Sequence, residues 1–135
     1  MQKGHSDVTT DGIRIRVGAQ YMPNQSSPDG QRFAYAYRVH IENVGNSSAM
    51  LLTREWIILD ANNDQNVVRG PGVVGEQPDL QPGEHFEYVS GSALTTEWGT
   101  MEGNFHFIRK DGHEFDAAIG RFFLTPSVEP IGALD

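Results

Sequence analysis

The chain has 135 residues, no cysteine, 18 acidic against 10 basic side chains, and a formal net charge of -8. This length fits one domain, the lack of cysteine excludes disulfides and thiolate metal sites, and the negative charge argues against nucleic-acid binding because phosphate backbones are repelled. The sequence opens without the apolar run of a secretory signal, and no segment holds the roughly 18 apolar residues of a membrane span. We therefore expect a cytoplasmic protein with no nucleic-acid and no membrane partner.

Alternation of apolar and polar residues is the main signal along the chain, because successive side chains of a strand point to opposite faces of a sheet. The pattern begins at 13–17, is longest over 33–43, and returns at 85–88 and 101–108. The segment 50–60 is apolar on both faces, which favours a central strand, although a short helix fits the same run.

Trp56 shares a face of that segment with Leu52 and Ile58, so we expect it in the core. Later in the chain, 115–119 reads as a strand, and 121–125 is predicted to form a separate, final one.

Turn-forming residues separate these segments, among them Pro82-Gly83 and the hairpin pair Asp111-Gly112. The pattern predicts about seven or eight antiparallel strands and no long helix, which is typical of an all-β sandwich or barrel. We expect a flexible N-terminal segment over 1–12, the domain over 13–126, and a C-terminal tail over 127–135.

Three glycines follow Arg69 in the spacing G-x-G-x-x-G: Gly70, Gly72 and Gly75. This motif binds a pyrophosphate where it opens a helix whose first amides face the ligand. Pro78 disfavours a helix at Gln77, and the Lys and Ser/Thr of a phosphate-binding Walker loop do not follow. We interpret the glycines as a bend or bulge beside a strand. The alternative is an anion nest of successive backbone amides with Arg69 alongside.

Other candidate sites are sparse. No two of the five histidines have the spacing of a zinc motif, and the acidic run from Asp60 to Asp64 lacks the glycine and distal Glu of a calcium loop. No nucleophile-elbow pattern is present. We predict no metal site, no cofactor and no catalytic residue. Trp98 lies in a turn, where it either anchors a partner or caps the end of the domain.

The run from Val68 to Gly91 resembles the signature of the ApaG family, through VRGPGVVGEQP, LQPGE, FEY and SG. Arg54 and Trp56 match that family's Arg-x-Trp strand, and Met101-Glu102-Gly103 matches its late hairpin. The resemblance extends over roughly residues 13 to 126. Glu55 stands where the family usually has an aromatic residue or histidine, and Gly120-Arg121 replaces a double proline.

The resemblance implies a β-sandwich of the fibronectin type III-like, immunoglobulin-like class. It also implies no established enzymatic activity, and a link to cobalt resistance and magnesium efflux. Similar domains occur in eukaryotic F-box proteins and in a DNA polymerase delta-interacting protein, and this distribution implies an interaction module.

We therefore expect a non-catalytic module that binds an unknown protein partner or, through a sheet edge, a second copy of itself. The expected contact residues are Trp98 and six residues of the glycine loop: Arg69, Gly70, Gly72, Gly75, Glu76 and Gln77. Two alternatives are a phosphate or nucleotide-anion sensor that uses the Gly70–Gly75 loop, and a direct divalent-cation binder that uses surface acids.

Overall fold

Strands form almost all of the regular structure. The computed structural model describes residues 3–126. Two short 3-10 turns, Pro23–Gln25 and Pro28–Gly30, join the second and third strands. No helix within 3–126 is long and apolar enough to cross a membrane. In chain order the strands of this part are β1 (His5–Thr10), β2 (Ile13–Tyr21), β3 (Phe33–Asn43), β4 (Ala49–Asp60), β5 (Gln65–Pro71), β6 (Asp79–Leu80), β7 (His85–Leu94), β8 (Gly99–Arg109) and β9 (Glu114–Leu124).

The strands form two antiparallel sheets packed face to face. One sheet has the order β1-β2-β3-β7 and the other has the order β5-β4-β8-β9, with β6 paired to the start of β4. The inner faces share one core of fully buried aromatic and aliphatic side chains, including Tyr35, Ile41, Leu51, Phe105, Phe107 and Phe122. The predicted all-β sandwich is confirmed.

Alternation predicted the core face of β3 correctly, whereas in β4 a bulge between Leu51 and Thr53 puts Leu51, rather than the predicted Leu52, on the core face with Trp56. Along β3 the side chains of Tyr35, Tyr37, Val39 and Ile41 are buried, and the residues that alternate with them, Ala36, Arg38 and His40, are more exposed. Trp56 is 3% exposed and meets the rings of Phe105 and Phe122 edge-on, with centroid distances of 6.1 and 6.2 Å. The expected core position of Trp56 is confirmed.

The N-terminal segment differs from the expectation of a flexible region over 1–12. His5–Thr10 forms β1 and pairs with β2 from His5↔Gly18 to Thr10↔Ile13. Asp11 and Gly12 have φ of 49° and 80°, which is the geometry of a two-residue Asp-Gly hairpin turn. Backbone pairing through this turn orders the segment although it carries little apolar surface. The expected tail over 127–135 lies outside the described residues.

The last strand also differs from its prediction, because β9 is continuous where two strands were expected. The β8–β9 register shifts between Met101 and Gly103. The buried residues of β9 accordingly change phase, from Ala117 and Ile119 to Phe122 and Leu124. A bulge that moves the core-facing pattern by one residue looks like a break when only the alternation is read.

The two long sides of the sandwich are unlike each other. On one side β1 lies against β9: the Phe123 amide donates to the Lys3 carbonyl at 2.7 Å, and the Ala118 amide donates to Thr10 Oγ1 at 3.2 Å. On the other side β5 and β7 are the edge strands, and no hydrogen bond joins them within the described part of the chain. We call the gap between β5 and β7 the open seam.

Gly103→Ala should be strongly destabilising. A Cβ at this position would lie 1.9 Å from the carbonyl oxygen of Glu55 on β4, so the two backbones would have to separate. We expect a loss of about 1–3 kcal/mol in the free energy of unfolding, measured by chemical denaturation. Gly91→Ala is the matched control, because its Cβ would make an ordinary contact of 3.4 Å with the Tyr35 carbonyl oxygen. Equal losses in both variants would contradict the close approach of β4 and β8.

His106 should make stability depend on pH. Its Nε2 lies 2.7 Å from Glu114 Oε1 and its Nδ1 lies 2.7 Å from Asp116 Oδ1, and these two carboxylates raise its pKa above the usual value of 6.5. Because the pKa of His106 is higher in the folded than in the unfolded protein, its ion pairs stabilise the folded state fully at pH values below the unfolded-state pKa. This stabilisation is lost as the pH rises through the folded-state pKa.

The variant His106→Gln should therefore lose about 0.2–1 kcal/mol at pH near 6 and little at pH near 9. Thermal unfolding of the wild type, His106→Gln and the control His5→Gln across this range measures the difference. A pH-independent gap between wild type and His106→Gln would contradict the assignment.

Candidate functional site

The glycine motif forms a tight hairpin turn after β5. The Val73 amide donates to the Glu76 carbonyl at 2.8 Å, and the Glu76 amide donates to the Val73 carbonyl at 2.9 Å. The two residues between them, Val74 and Gly75, have φ of 44° and 82°. Positive φ at both central residues is the signature of a type I′ turn. The next element along the chain is the strand β6, so no helix follows Gly75.

Each glycine of the motif has a local structural reason. Gly72 has φ of 60°, and a Cβ there would lie 2.2 Å from the Glu76 carbonyl oxygen. A Cβ at Gly70 would lie 2.9 Å from Nη2 of Arg54, so the guanidinium rests against bare backbone. Gly75 supplies the second positive φ of the turn. The spacing G-x-G-x-x-G is thus accounted for by a strand end and a hairpin.

Backbone amides of the turn are largely engaged within the protein. The Gly72 amide donates to the Leu52 carbonyl at 2.8 Å, and those of Val73 and Glu76 bond to each other's carbonyls. The amides of Val74 and Gly75 have no acceptor among residues 3–126. These two are therefore the turn amides left for a ligand.

The six residues predicted in this loop are placed differently from one another. Arg69 is exposed and pairs with Glu55 on β4, with Nε 2.5 Å from Oε2. In the β4–β5 register Gly70 lies opposite Arg54. Because neighbouring residues of a strand face opposite ways, the side chain of Arg69 lies on the other face of the sheet from that of Arg54. Glu76 is exposed, and Gln77 fixes the loop through Nε2, which donates to the Leu52 carbonyl at 2.9 Å.

Arg54 was missed as a site residue by the sequence reasoning. It is half-buried, and its Nη1 donates to the carbonyls of Pro71 and Gly72 at 2.8 and 2.9 Å. It forms no ion pair with any residue in 3–126. Alternation along the strand could have indicated its position. Arg54 lies two residues before Trp56, so the two side chains share the face that Trp56 presents to the core.

Arg54 lines a cavity of about 180 Å³ in the open seam. The phenol hydroxyls of Tyr37 and Tyr88 have no hydrogen-bond partner within the described residues. Burial raises the pKa of Tyr88, which keeps this phenol neutral and able to donate. The lining of the cavity therefore combines polar groups with apolar side chains. Its lining consists of Tyr37, Arg54, Trp56, Val73, Val74, Tyr88 and Ser90.

A second cavity, of about 280 Å³, follows along the same seam. Its apolar lining includes Ile58 and Leu94, and its polar lining includes Asp60, Asp64 and Ser92. On β4 and β7 these residues lie about four positions beyond those of the first cavity, which corresponds to about 13 Å along a strand.

Trp98 lies far from the turn. It is 40% exposed and stacks on Phe123, with a centroid distance of 6.2 Å and an angle of 25°. Its neighbour Gly99 pairs with Asp60 on β4, whereas the turn begins beside Thr53. Seven residues of strand separate the two by about 23 Å, so the two predicted contact regions are not one site.

No group of three or more metal-ligating side chains is found in residues 3–126. The rings of His40 and His85 stack at 5.1 Å on the outer face of their sheet. Burial is the main cause that lowers the pKa of His40. His40 therefore tends to stay neutral rather than attract an anion.

Val74→Asn should stabilise the protein. Val74 is β-branched and has φ of 44°, a conformation that such residues rarely adopt and that costs on the order of 1–3 kcal/mol. The substitution gives Asn-Gly, which suits a type I′ turn. We expect a gain of about 1 kcal/mol in the free energy of unfolding by chemical denaturation. The control Val68→Asn, in strand β5, should show no gain; a loss at Val74 would contradict the strained turn.

Known proteins resemble this chain over most of its length, in sequence and in structure. A family model for the ApaG domain matches residues 23–109. Protein ApaG of Thiobacillus denitrificans is 50% identical over 113 residues, covering 84% of this chain and 89% of that protein. Protein ApaG of Dechloromonas aromatica is 47% identical over 120 residues, covering 89% and 94%. A crystal structure of the ApaA protein from Bordetella pertussis has a TM-score of 0.83 and 39% identity, covering 94% of this chain and 98% of that one. The chain belongs to the ApaG family.

Proposed function

We propose that the protein is a non-catalytic interaction module that binds a protein partner along the open seam. The observation that carries this proposal is the unbridged pair of edge strands, β5 and β7, on one side of a sandwich whose other side is closed by β1 and β9. Exposed valines lie at this gap: Val68 on β5 is 38% exposed, and Val74 at the turn is 55% exposed.

Edge strands present backbone N–H and C=O groups that a further strand can pair with. An extended peptide adds to such an edge through main-chain hydrogen bonds, and pockets for alternate side chains supply specificity. The open seam offers both parts, since the second cavity lies between β5 and β7 and the first lies between β7 and the turn that follows β5. A second copy of the chain would use the same edges, which makes a homodimer the competing assembly.

The strained turn supports the same proposal. Asparagine would fit the first central position of a type I′ turn without strain, yet the chain has an exposed valine there. Strain of this kind is kept where the side chain has another use. A Val74 side chain held at the mouth of a cavity would serve as an apolar contact for a partner.

A non-catalytic role is supported by the hydroxyl contacts. No serine or threonine hydroxyl within 3–124 hydrogen-bonds to a histidine that could activate it as a nucleophile. Among these histidines, His106 is held between two carboxylates of β9, and His113 pairs with Asp11. Their bonding suits a structural role in the sheets.

The anion-sensor alternative has less support at the glycines themselves. The amides of Gly72, Val73 and Glu76 are used internally, and Arg69 is paired with Glu55. The direct divalent-cation alternative also has less support, because residues 3–126 hold no group of three or more metal-ligating side chains. In this proposal the link to cobalt resistance and magnesium efflux that the resemblance implies belongs to the partner. A cytoplasmic location is part of the proposal, because a chain without cysteine does not depend on an oxidising compartment.

Site-specific photo-crosslinking tests the module. A benzophenone amino acid replaces Val68, Val74, Val89 or Trp98 in the full chain, and the products in extract of the source cell are separated by mass. We expect the same discrete adduct from Val68 and Val74, since both lie at the seam. Val44 is the matched control, being 49% exposed in the connection between β3 and β4.

Three results would count against the proposal. An adduct from Trp98 alone would move the contact to the end of the sandwich, and one from Val89 alone would move it to the outer face of β7. An adduct of exactly two chains' mass from Val68 and Val74 would replace the partner by a homodimer.

A further inference from the structure

We propose that the cavity at Arg54 receives the carboxylate side chain of an acidic residue in a partner segment lying along the open seam. This inference rests on the proposed interaction function and names the chemistry that the seam recognises. It assigns to Arg54 the charged role that the sequence suggested for Arg69.

Arg54 carries an uncompensated charge. The other guanidinium groups nearby are paired: Arg69 with Glu55, and Arg38 with Glu87. All hydrogen bonds that Arg54 makes within 3–126 come from Nη1, which is shared between two carbonyl groups. Neutral carbonyls fix the position of the guanidinium but leave its positive charge unmatched. A half-buried charge of this kind is stabilised by an anionic partner.

The free side of Arg54 has the geometry of a carboxylate fork. Nη1 is engaged, so Nε and Nη2 remain, and these two donors point the same way. The chain shows this pairing elsewhere: Arg14 donates from Nε to Asp7 Oδ1 at 3.0 Å and from Nη2 to Asp7 Oδ2 at 2.6 Å. Bidentate binding of this kind adds geometric specificity to the charge attraction.

The walls of the cavity offer further donors to the same anion. The hydroxyls of Tyr37, Tyr88 and Ser90 line it, and none of them bonds to a described residue. A phenol that stays neutral donates its proton to a carboxylate oxygen. Trp56 and Val73 exclude water from the far side, which strengthens hydrogen bonds to a charged group.

A single carboxylate fits this cavity better than a polyphosphate. One guanidinium matches one negative charge, and a polyanion would be repelled by a chain of net charge -8. The volume of about 180 Å³ is also below the range of roughly 300–1,000 Å³ usual for small-molecule and cofactor sites.

The second cavity predicts the sequence around the acidic residue. It follows about 13 Å along the seam, which is four residues of extended strand, and it contains Asp60 and Asp64 beside apolar walls. A neutral or basic side chain suits these acids. The partner segment would therefore place its acidic residue and a neutral or basic residue four positions apart.

Side-chain NMR of the full chain tests the assignment. The Nε–Hε signal of Arg54 is followed during titration with N-acetyl-glutamate N-methylamide, its uncharged glutamine analogue, and pyrophosphate at matched ionic strength. We expect a saturable shift with the glutamate probe, at a Kd of the order of millimolar for so small a ligand. The glutamine analogue should leave the signal unchanged, and pyrophosphate should bind no more tightly than glutamate.

Variants show whether the glutamate probe binds in the cavity or is attracted by the general charge of the surface. Arg54→Gln should abolish the binding of the glutamate probe. Tyr88→Phe keeps Arg54 and its contacts with the turn, so it stays interpretable if Arg54→Gln fails to fold; it should weaken binding about tenfold. Arg69→Gln, the matched control, should leave binding unchanged.

The outcomes that would overturn the proposal are distinct. They are an unshifted Arg54 signal, equal shifts with the glutamine analogue, tighter binding of pyrophosphate than of the glutamate probe, or loss of binding in Arg69→Gln alone. If the seam residues give crosslinks but the Arg54 signal does not shift, the interaction module is supported and only the carboxylate assignment is wrong. Glutamate binding without seam crosslinks would remove the module and the partner segment with it.

Discussion

The guanidinium of Arg54 organises the region between the two edge strands. One nitrogen, Nη1, satisfies the carbonyls of Pro71 and Gly72, where β5 ends and the turn begins. Within the turn, the amides of Gly72, Val73 and Glu76 bond to the Leu52 carbonyl and across the hairpin, so they do not satisfy these oxygens. A half-buried carbonyl without a donor is costly. The position of the turn, the absence of a side chain at Gly70, and the shape of the cavity all follow from this contact.

Much of the fold could be predicted from periodicity, because most strands bury one face. The alternation over 33–43 predicted β3 and its buried face, and the core position of Trp56 followed in the same way. Where the prediction failed, backbone geometry rather than side-chain pattern decides the structure. β1 is ordered by an Asp-Gly turn and main-chain pairing, and β9 is continuous through a bulge opposite Glu102. Periodicity does not reveal the pairing of β1, and it makes the bulge in β9 look like a break between two strands.

The sequence predicted the glycines of the candidate site but not the arginine that lies beside them. Glycines in the spacing G-x-G-x-x-G indicate tight backbone, and the structure contains tight backbone at these positions. The residue type alone cannot tell which arginine lies beside it. Arg69 is adjacent in sequence but faces Glu55, whereas Arg54 reaches Gly70 across the β4–β5 ladder. A cross-strand neighbour becomes visible only when the register is known.

The one-sided closure of the sandwich also bears on how the molecule can be attached to a surface. The sequence contains two lysines, Lys3 and Lys110. Lys3 bonds through its carbonyl to Phe123 of β9, and Lys110 lies in the connection between β8 and β9. In the sheet order β5-β4-β8-β9, both amines are at the side opposite β5. Amine coupling to a sensor chip or resin would therefore hold the protein by its closed side and orient the seam toward the solution.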